Sequence, residues 1–302
     1  MSELRICEVG PRDGLQNQDR HFSIDERVDL IDRLIATRPA AVEAVSFVND
    51  RRVPRMAGAE EILGRIARSD GVDIAALVMN GRGVQRALNC DLDEIRFAVS
   101  ATDEFNLRNV NAPVSATVED FAANAAAIIG AGVRLTAIIA VSFGCPFSGV
   151  VEPAAVIELV GQLAEAGAQE ILLADTIGCG VPNQVRELLD GVAAVAPGIP
   201  RGVHLHNTRN TGYANAVAAI ESGATTLDSS VGGLGGCPFA PNATGNIATE
   251  DLCYLLRNSG YATGVQLPEL LGVVDWLRSL VPDEISGQLG QAGLFPEVAR
   301  SH

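Results

Sequence analysis

The sequence predicts an α/β fold, a (β/α)8 TIM barrel followed by a short C-terminal helical extension. Eight apolar segments rich in Val and Ile alternate with segments of helical periodicity along the 302 residues. This length suits a single barrel, which typically needs about 250 residues. A doubly wound open sheet is the alternative, but the sequence has no GxGxxG motif after its first strand.

The predicted strands are nearly continuous apolar runs, a pattern that favours parallel strands covered on both faces. Each run is followed by polar or glycine-containing residues, which mark the ends of the strands. The eight strands are predicted at residues 4–10, 40–48, 72–78, 94–101, 134–142, 169–176, 202–208 and 225–231.

The helical segments between the strands carry recognisable start and stop signals. In the first, at 23–36, Ser23 and Glu26 have the spacing of a capping box. The segments at 118–132 and 154–168 end at glycines, as many helices do.

We expect one domain over residues 1–302, because the sequence shows no repeat and no low-complexity linker. The barrel is predicted at about 4–262 and the helical extension at about 263–302, with its helix at 267–280. That extension is too short to form a second domain.

The composition excludes several classes of partner. A formal net charge of −15 repels nucleic acid and anionic membrane surfaces. There is no apolar run long enough to span a bilayer, and MSELRICEVG lacks the pattern of a secretory signal. Six cysteines without a CxxC pair predict free thiols in a reducing cytoplasm.

Polar residues at the carboxyl ends of the strands are the candidate site, because barrel enzymes place their active sites there. Arg12 and Asp13 follow the first strand, in EVGPRDGLQNQ. Glu43 lies within the apolar second strand, and Asp175 ends the sixth in LLADTIG. Glu43 has the alternative of a plain ion pair with an arginine, and Asp175 that of capping the next turn.

The stretch VHLHNT places His204 and His206 on the same face of the seventh strand. In a closed barrel the first and eighth units are neighbours, so Asp13 and Asn246 can join these histidines. Two imidazoles, a carboxylate and an amide oxygen predict a site for Mg²⁺ or Mn²⁺, since zinc prefers more N or S ligands. The alternative is a packed His-x-His pair without a metal.

Cys237 lies in the glycine-rich segment GGLGGCPFAPNATGN after the eighth strand. Because so many glycines cost conformational entropy, we expect a mobile loop that brings the thiol over the site. The alternative is a flexible loop with an incidental cysteine.

Several segments together resemble the hydroxymethylglutaryl-CoA lyases, members of the DRE-TIM metallolyase superfamily. They occur in the family's order from residue 8 to residue 252: EVGPRDGLQNQ, VEAVSFV, FGCPFSG, ADTIGCGVPNQV, HLHNT with GYANA, and DSSVGGLGGCPFAPNATGNIATEDL. The resemblance implies a retro-Claisen cleavage of 3-hydroxy-3-methylglutaryl-CoA to acetyl-CoA and acetoacetate. It also implies an acyl-CoA thioester as substrate and a homodimer as assembly.

The resemblance also implies roles for single residues. Asp13, His204, His206 and Asn246 match the family's metal ligands. Arg12, Asp13, Glu43, Asp175, His204 and Cys237 match its catalytic residues, with Asp13 and His204 as alternative proton acceptors. Glu43 and Asp175 are expected to orient Arg12 and the histidines, and Cys237 to deliver a proton to the acetyl-CoA enolate. Arg12, Gln16, Asn207 and Arg209 are assigned to substrate binding.

Two departures bear on the substrate. Asn207 stands where the better known lyases have an aspartate, and TRNTGYAN replaces a stretch with tyrosine, glycine and glutamine. Arg209 adds a cation there. Either change is compatible with the same reaction on another branched 3-hydroxyacyl-CoA.

Three other functions compete. A Claisen-condensing relative of the isopropylmalate or homocitrate synthase kind is disfavoured by the short segment after the barrel. An aldolase of 4-hydroxy-2-oxo acids gives no reason for the glycine-rich cysteine loop. A barrel that only binds metal or acyl-CoA is disfavoured because each expected polar position is filled.

Overall fold

In the computed structural model, which describes residues 3–236 and 245–295, eight parallel strands form a closed barrel. Each strand pairs with the next in the chain, and β1 closes the barrel by pairing with β8, from Arg5 opposite Thr226 to Glu8 opposite Ser229. This closure confirms the predicted barrel and excludes the doubly wound sheet. The strands are β1 (Arg5–Glu8), β2 (Ala41–Ser46), β3 (Asp73–Val78), β4 (Glu94–Ser100), β5 (Arg134–Ala140), β6 (Glu170–Asp175), β7 (Arg201–Leu205) and β8 (Thr226–Ser229).

Helices follow every strand along the chain and surround the barrel. The helices of the barrel are α1 (Ile24–Ala36), α2 (Ala59–Leu63), α3 (Gly81–Ala87), α4 (Asp103–Val110), α5 (Val114–Gly130), α6 (Pro153–Glu165), α7 (Pro182–Val195), α8 (Gly212–Glu221) and α9 (Thr249–Asn258). Two further helices, α10 (Leu267–Leu280) and α11 (Leu289–Ala292), come after the last unit. No helix within residues 3–236 and 245–295 is long and apolar enough to cross a membrane.

Local sequence accounts for several of these helices. The Ser23 side chain accepts a hydrogen bond from the Glu26 amide, and the Glu26 carboxylate accepts one from the Ser23 amide, so the predicted capping box of α1 is confirmed. The first helix of the C-terminal extension, α10, has the predicted bounds. The helix predicted at 118–132 instead begins at Val114. Its first amide donates to the Asp103 carboxylate, a contact from another helix that the local pattern does not contain.

The interior of the barrel contains charged side chains as well as apolar ones. Within the strands, Glu43, Glu94, Arg96 and Asp228 are fully or almost fully buried. Charges that are removed from water need partners of opposite sign. The partners of Glu43, Arg96 and Asp228 connect them to the candidate site described below.

Glu250, in the first turn of α9, is a buried carboxyl outside that site. Its Oε2 accepts a hydrogen bond from the Gly232 amide (3.0 Å), and its buried Oε1 has no partner within the described residues. Burial raises the pKa of Glu250 from 4.5 to about 8. The folded chain therefore retains a proton that the unfolded chain releases above about pH 4.5.

We expect Glu250→Gln to remove a pH dependence of stability. In the wild type this group makes the free energy of unfolding fall as pH rises from about 4.5 to about 8, because only the unfolded chain ionises there. Urea unfolding measures the free energy of unfolding of both proteins. As pH rises through this range, we expect the value for the variant to gain about 1.4 kcal/mol per pH unit relative to the value for the wild type. Glu269→Gln, at an exposed carboxyl of α10, is the control. A wild-type-to-variant difference that stays constant between pH 5 and pH 8 would contradict the assignment.

Candidate metal centre

The first, seventh and eighth units converge at the carboxyl end of the barrel. After β1 the chain forms one wide helical turn, Gly10–Gly14, which presents Asp13 toward β7. The Asp13 Oδ2 atom lies 3.8 Å from Nε2 of His204 and 3.6 Å from Nε2 of His206. The two imidazole rings are side by side, with centroids 5.2 Å apart. The structure thus brings together the three residues on which the predicted metal site depends.

These three residues fit a single divalent ion. Their ligand atoms all lie within 4.8 Å of one another. Ligands about 2.1 Å from a shared ion lie about 3.0 to 4.2 Å apart, so the 3.6 and 3.8 Å separations need little adjustment. Burial would raise the pKa of Asp13, but Arg12 and the two imidazoles outweigh it and hold this pKa well below its ordinary value. Asp13 is therefore an anion, as a metal ligand must be.

Asn246 lies beside the same three residues. Its position is set by a backbone bridge to His206, with the Ile247 amide donating to the Leu205 carbonyl. The Asn246 Nδ2 atom donates to Asp13 Oδ2 (2.8 Å), while its buried Oδ1 has no hydrogen-bond partner within the described residues. Turning the amide over would place this oxygen beside the Asp13 carboxylate, where a cation would attract it. The location and the unpartnered oxygen both suit the predicted fourth ligand.

Arg12 is clamped between two carboxylates. Its Nε and Nη2 atoms both lie 2.6 Å from Glu43 Oε2, and its Nη1 lies 2.6 Å from Asp13 Oδ1. The Arg12 side chain is 9% exposed, so its charged end is held in a fixed direction with little contact with water. Glu43 is therefore placed to orient Arg12, in line with its predicted positioning role.

Two residues that the sequence analysis did not single out complete a ring of alternating charge. Arg96 in β4 lies 2.7 Å from Asp228 and 3.5 Å from Glu43, measured between nitrogen and carboxylate oxygen. Asp228 in β8 lies 3.1 Å from Nδ1 of His204. Contacts thus run from Arg12 through Glu43, Arg96, Asp228 and His204 to Asp13, which contacts Arg12 again. All of these side chains belong to strands or to the turn after β1, so the barrel itself fixes the geometry.

Asp228 determines how His204 presents its ring. Because a carboxylate accepts a hydrogen from Nδ1, the Nε2 atom of His204 is left with a free lone pair that faces Asp13. Burial lowers the pKa of His204, but the bond to Asp228 and the Asp13 charge outweigh this effect and raise it above its ordinary value. In the protonated form of His204, Nε2 carries a second proton. A cation bound at Nε2 would displace this proton, so metal binding would release it.

We expect Asp228→Asn to weaken metal binding by about 10- to 100-fold, because His204 loses the carboxylate that sets its tautomer. Calorimetric titration with Mn²⁺ measures the effect. Asp190→Asn, at an exposed aspartate of α7, serves as the control and should bind as the wild type does. Equal Mn²⁺ affinity in all three proteins would show that Asp228 does not position His204.

Asp175 contacts the backbone of the next loop. It is almost fully buried and accepts hydrogen bonds from the Cys179 amide (2.8 Å) and the Gly180 amide (2.9 Å). These contacts match the alternative reading, in which Asp175 caps a turn. Burial raises the pKa of Asp175, with the two amides opposing the shift. Its orienting role toward the histidines stays a prediction.

A cavity of about 120 Å³ lies over the three clustered residues. Arg12 and Gln16 line it on one side, and an apolar floor includes Leu77, Ile138 and Ala174. The Gln16 Oε1 atom is buried without a hydrogen-bond partner within the described residues, so it is available to a bound ligand. The cavity suits a small acyl group that carries polar substituents together with an apolar part.

The structure places Asn207 and Arg209 away from this cavity. Asn207 Oδ1 accepts from the Gly212 amide (3.1 Å), and Arg209 donates to the carbonyls of Ile177 and Gly178. Both side chains thus hold loops together at the carboxyl ends of β6 and β7. Neither is among the described residues that line the cavity, and their assignment to substrate binding stays a prediction.

Cys237 lies outside the described residues, but the glycines before it are informative. Gly236 lines the cavity, and its carbonyl accepts a hydrogen bond from Asn17 (2.9 Å). Gly235 has φ +137, and a Cβ atom there would lie 2.5 Å from the Asn246 side chain. Gly235 is therefore needed for close packing against the candidate fourth ligand. The predicted mobility of the loop that carries Cys237 stays a prediction.

Comparison with known proteins places these features in one family. A family model described as HMGL-like matches residues 3–276. The chain is 39% identical to the (R)-citramalyl-CoA lyase of Chloroflexus aurantiacus, over 99% of this chain and 98% of that protein. It is 40% identical to the hydroxymethylglutaryl-CoA lyase of Pseudomonas mevalonii, over 97% of this chain and 94% of that protein.

Solved structures agree with these relatives. An HMG-CoA lyase from A. baumannii, in complex with coenzyme A and 3-methylmalate, superposes with a TM-score of 0.93. It is 34% identical and covers 98% of this chain and 96% of that one. The HMG-CoA lyase of Pseudomonas aeruginosa superposes with a TM-score of 0.91 at 35% identity, over 96% of this chain and 97% of that one.

Proposed function

Because the chain belongs to the HMGL-like family, as its sequence motifs predict, we propose that it cleaves 3-hydroxy-3-methylglutaryl-CoA to acetyl-CoA and acetoacetate, with Mg²⁺ or Mn²⁺ as cofactor. The chain is a carbon–carbon lyase that acts on an acyl-CoA. The observation that supports the proposal most directly is the cluster of Asp13, His204 and His206 next to Arg12.

The reaction needs a proton acceptor at the 3-hydroxyl and a stabilising charge at the thioester oxygen. A bound divalent cation would supply charge that lowers the pKa of the hydroxyl group. Asp13 and His204 both line the cavity, with Oδ2 and Nε2 3.8 Å apart, and either could accept the hydroxyl proton. Arg12 lines the cavity with its orientation fixed by Glu43, so it is placed to stabilise the enolate oxygen that develops when the C2–C3 bond breaks. The enolate carbon must then take up a proton to give acetyl-CoA, and we propose Cys237 as the donor.

Exclusion of water supports the same assignment. His204 and His206 are 7% and 3% exposed, and Arg12 is buried as well. Electrostatic contacts in such a site are screened less than at the surface. The apolar floor of the cavity accommodates a methyl branch, which a tertiary 3-hydroxyl compound carries.

Citramalyl-CoA is the second candidate substrate, because a citramalyl-CoA lyase is as similar to this chain as a hydroxymethylglutaryl-CoA lyase is. Citramalyl-CoA also carries a tertiary hydroxyl at C3, so the same residues serve the same bond scission. The two compounds differ in the length of the acid branch, and cleavage leaves acetoacetate from one and pyruvate from the other.

Incubation of the protein with each thioester, with Mg²⁺ or Mn²⁺ and with EDTA, tests the proposal. We expect release of acetyl-CoA and acetoacetate from the glutaryl compound, and loss of this activity in EDTA. Preferential release of pyruvate from citramalyl-CoA would transfer the assignment to the second candidate. Failure to release acetyl-CoA from either thioester would refute both, and CoA formed from acetyl-CoA and a 2-oxo acid would indicate a condensing enzyme.

We also propose a homodimer located in the cytoplasm, from the family resemblance and the free cysteines. Light scattering on the purified protein measures the assembly, with a mass near twice the 31.5 kDa of one chain as the expected result.

A further inference from the structure

Glu8, the last residue of β1, is a buried carboxyl group without a cation. It is 1% exposed, and no cation among the described residues forms an ion pair with it. Burial raises the pKa of Glu8 from 4.5 to about 7, and three hydrogen bonds oppose this shift. A buried carboxyl group with no cation destabilises a fold unless hydrogen bonds compensate, so the partners of Glu8 define what it does.

The side chain of Glu8 points away from the metal centre. Glu8 lies opposite Ser229, which follows Asp228, and the Asp228 side chain faces the barrel interior. Since successive residues of a strand face opposite sides, Glu8 faces the helices, where it contacts Thr249 at the start of α9. Glu8 is not among the described residues that line the cavity over the metal centre. Any effect of Glu8 on that site therefore passes through other residues.

The three hydrogen bonds of Glu8 reach three different segments of the chain. Its Oε1 accepts from the Gly10 amide (2.7 Å) and from the Val231 amide (2.9 Å). Its Oε2 accepts from the Thr249 hydroxyl (2.6 Å). All three donors belong to buried residues, so water cannot replace the carboxyl group. One side chain thus joins the turn after β1, the loop after β8 and the start of α9.

Each of these segments carries part of the candidate metal centre. Gly10 begins the wide turn that presents Asp13. Val231 begins the loop in which a glycine packs against the Asn246 side chain, and Thr249 follows Asn246 by three residues. The placement of Asp13 relative to Asn246 thus depends on Glu8, whereas the two histidines lie on β7 and form no hydrogen bond with it.

We propose that Glu8 is a positioning residue of the metal centre, whose carboxyl group holds Asp13 and Asn246 in place relative to each other and to the histidines. The inference rests on the proposed function in taking this cluster to hold a divalent cation. One carboxyl group accepts from two amides and a hydroxyl at once, whereas an apolar side chain of similar size accepts from none. Loss of these acceptors leaves two buried amides without a partner and allows the turn and the loop to shift.

Calorimetric titration with Mn²⁺ in the absence of substrate tests this role with two substitutions at Glu8. Glu8→Met keeps the bulk of the side chain but removes every acceptor, and we expect the dissociation constant for Mn²⁺ to rise at least about tenfold. In Glu8→Gln the amide oxygen still accepts from both backbone amides and Nε2 donates to the Thr249 hydroxyl, so the affinity should stay within about twofold of the wild-type value. Binding as weak in Glu8→Gln as in Glu8→Met would overturn the proposal.

A matched pair of threonine variants separates positioning from stability, and it decides the matter if Glu8→Met does not fold. Thr249→Val removes one donor to Glu8, and we expect the dissociation constant for Mn²⁺ to rise about threefold or more. Thr226→Val removes a buried hydroxyl donor from Glu170 at the amino end of β8. It should lower the free energy of unfolding in urea without changing the affinity for Mn²⁺. Equal Mn²⁺ affinities in the two threonine variants would overturn the positioning role.

Activity measurements separate this inference from the proposed function. If the protein cleaves one of the thioesters but Thr249→Val and Glu8→Met bind Mn²⁺ as the wild type does, the positioning role is overturned and the proposed function stands. If the expected order of Mn²⁺ affinities is found in a protein that cleaves neither thioester, the positioning role stands and the proposed function is refuted. A wild type that does not bind Mn²⁺ overturns the positioning role.

Discussion

Asp13→Asn is expected to lower kcat by about 10³-fold or more and to abolish tight binding of Mn²⁺. The substitution keeps the shape of the side chain but removes the only carboxylate among the clustered ligands. It also removes the charge that Arg12 contacts at 2.6 Å, so the guanidinium loses one of its two anchors. Steady-state kinetics and calorimetric titration with Mn²⁺ measure the two effects.

Asp19→Asn is the matched control for this variant, since Asp19 lies six residues further along the same segment and is exposed. It should bind metal and turn over substrate as the wild type does. If Asp13→Asn retained more than about a tenth of the wild-type kcat with unchanged Mn²⁺ affinity, Asp13 would not be a ligand.

Arg96→Met is expected to reduce the free energy of unfolding by about 3 to 5 kcal/mol, because it leaves buried carboxylates without their cation. The side chains of Arg96, Glu43 and Asp228 all have zero exposed area, so water cannot replace the lost partner. Asp228 should then take up a proton, and His204 should lose the acceptor at Nδ1. Urea unfolding measures the stability, and Mn²⁺ titration measures the effect on the metal centre.

Arg134→Met provides a comparison from the other end of the barrel. Arg134 also pairs with Glu94 and with Asp73, but its side chain is 40% exposed. The pair with Asp73 is partly exposed, and pairs of this kind contribute about 1 kcal/mol or less. The buried Glu94 keeps Arg5 as a partner at 2.6 Å, so we expect the loss of Arg134 to cost little. Equal losses of stability in the two variants would mean that burial of the Arg96 network is energetically unimportant.

The fold was predictable because parallel barrel strands are apolar on both faces and differ visibly from the amphipathic helices between them. The prediction was weaker at element ends that are fixed by distant residues. Helix α5 starts four residues before its predicted start, since Asp103 on another helix supplies the acceptor for its first amide. Strand β1 ends at Glu8 because the chain turns at Gly10 to place Arg12 and Asp13.

The residues of the candidate site that lie in short sequence motifs were predictable. The residues that join the site through contacts between distant strands were missed. The convergence of Asp13 with His204 and His206 follows from closure of the barrel. Arg96 and Asp228 were missed, although each is a charged residue inside an apolar strand, the same signal that identified Glu43. Their pairing joins strands 132 positions apart, and no local pattern contains it.

Anomalous diffraction from crystals grown with Mn²⁺ tests most directly whether the tips of β1 and β7 hold a divalent cation. We expect one strong peak about 2.0 to 2.3 Å from the Asp13 carboxylate and from Nε2 of His204 and His206, with the Asn246 oxygen turned toward it. A peak at another site, or none at this one under saturating Mn²⁺, would rule out a metal centre at Asp13, His204 and His206. The proposed cleavage would then lack the charge that activates the 3-hydroxyl.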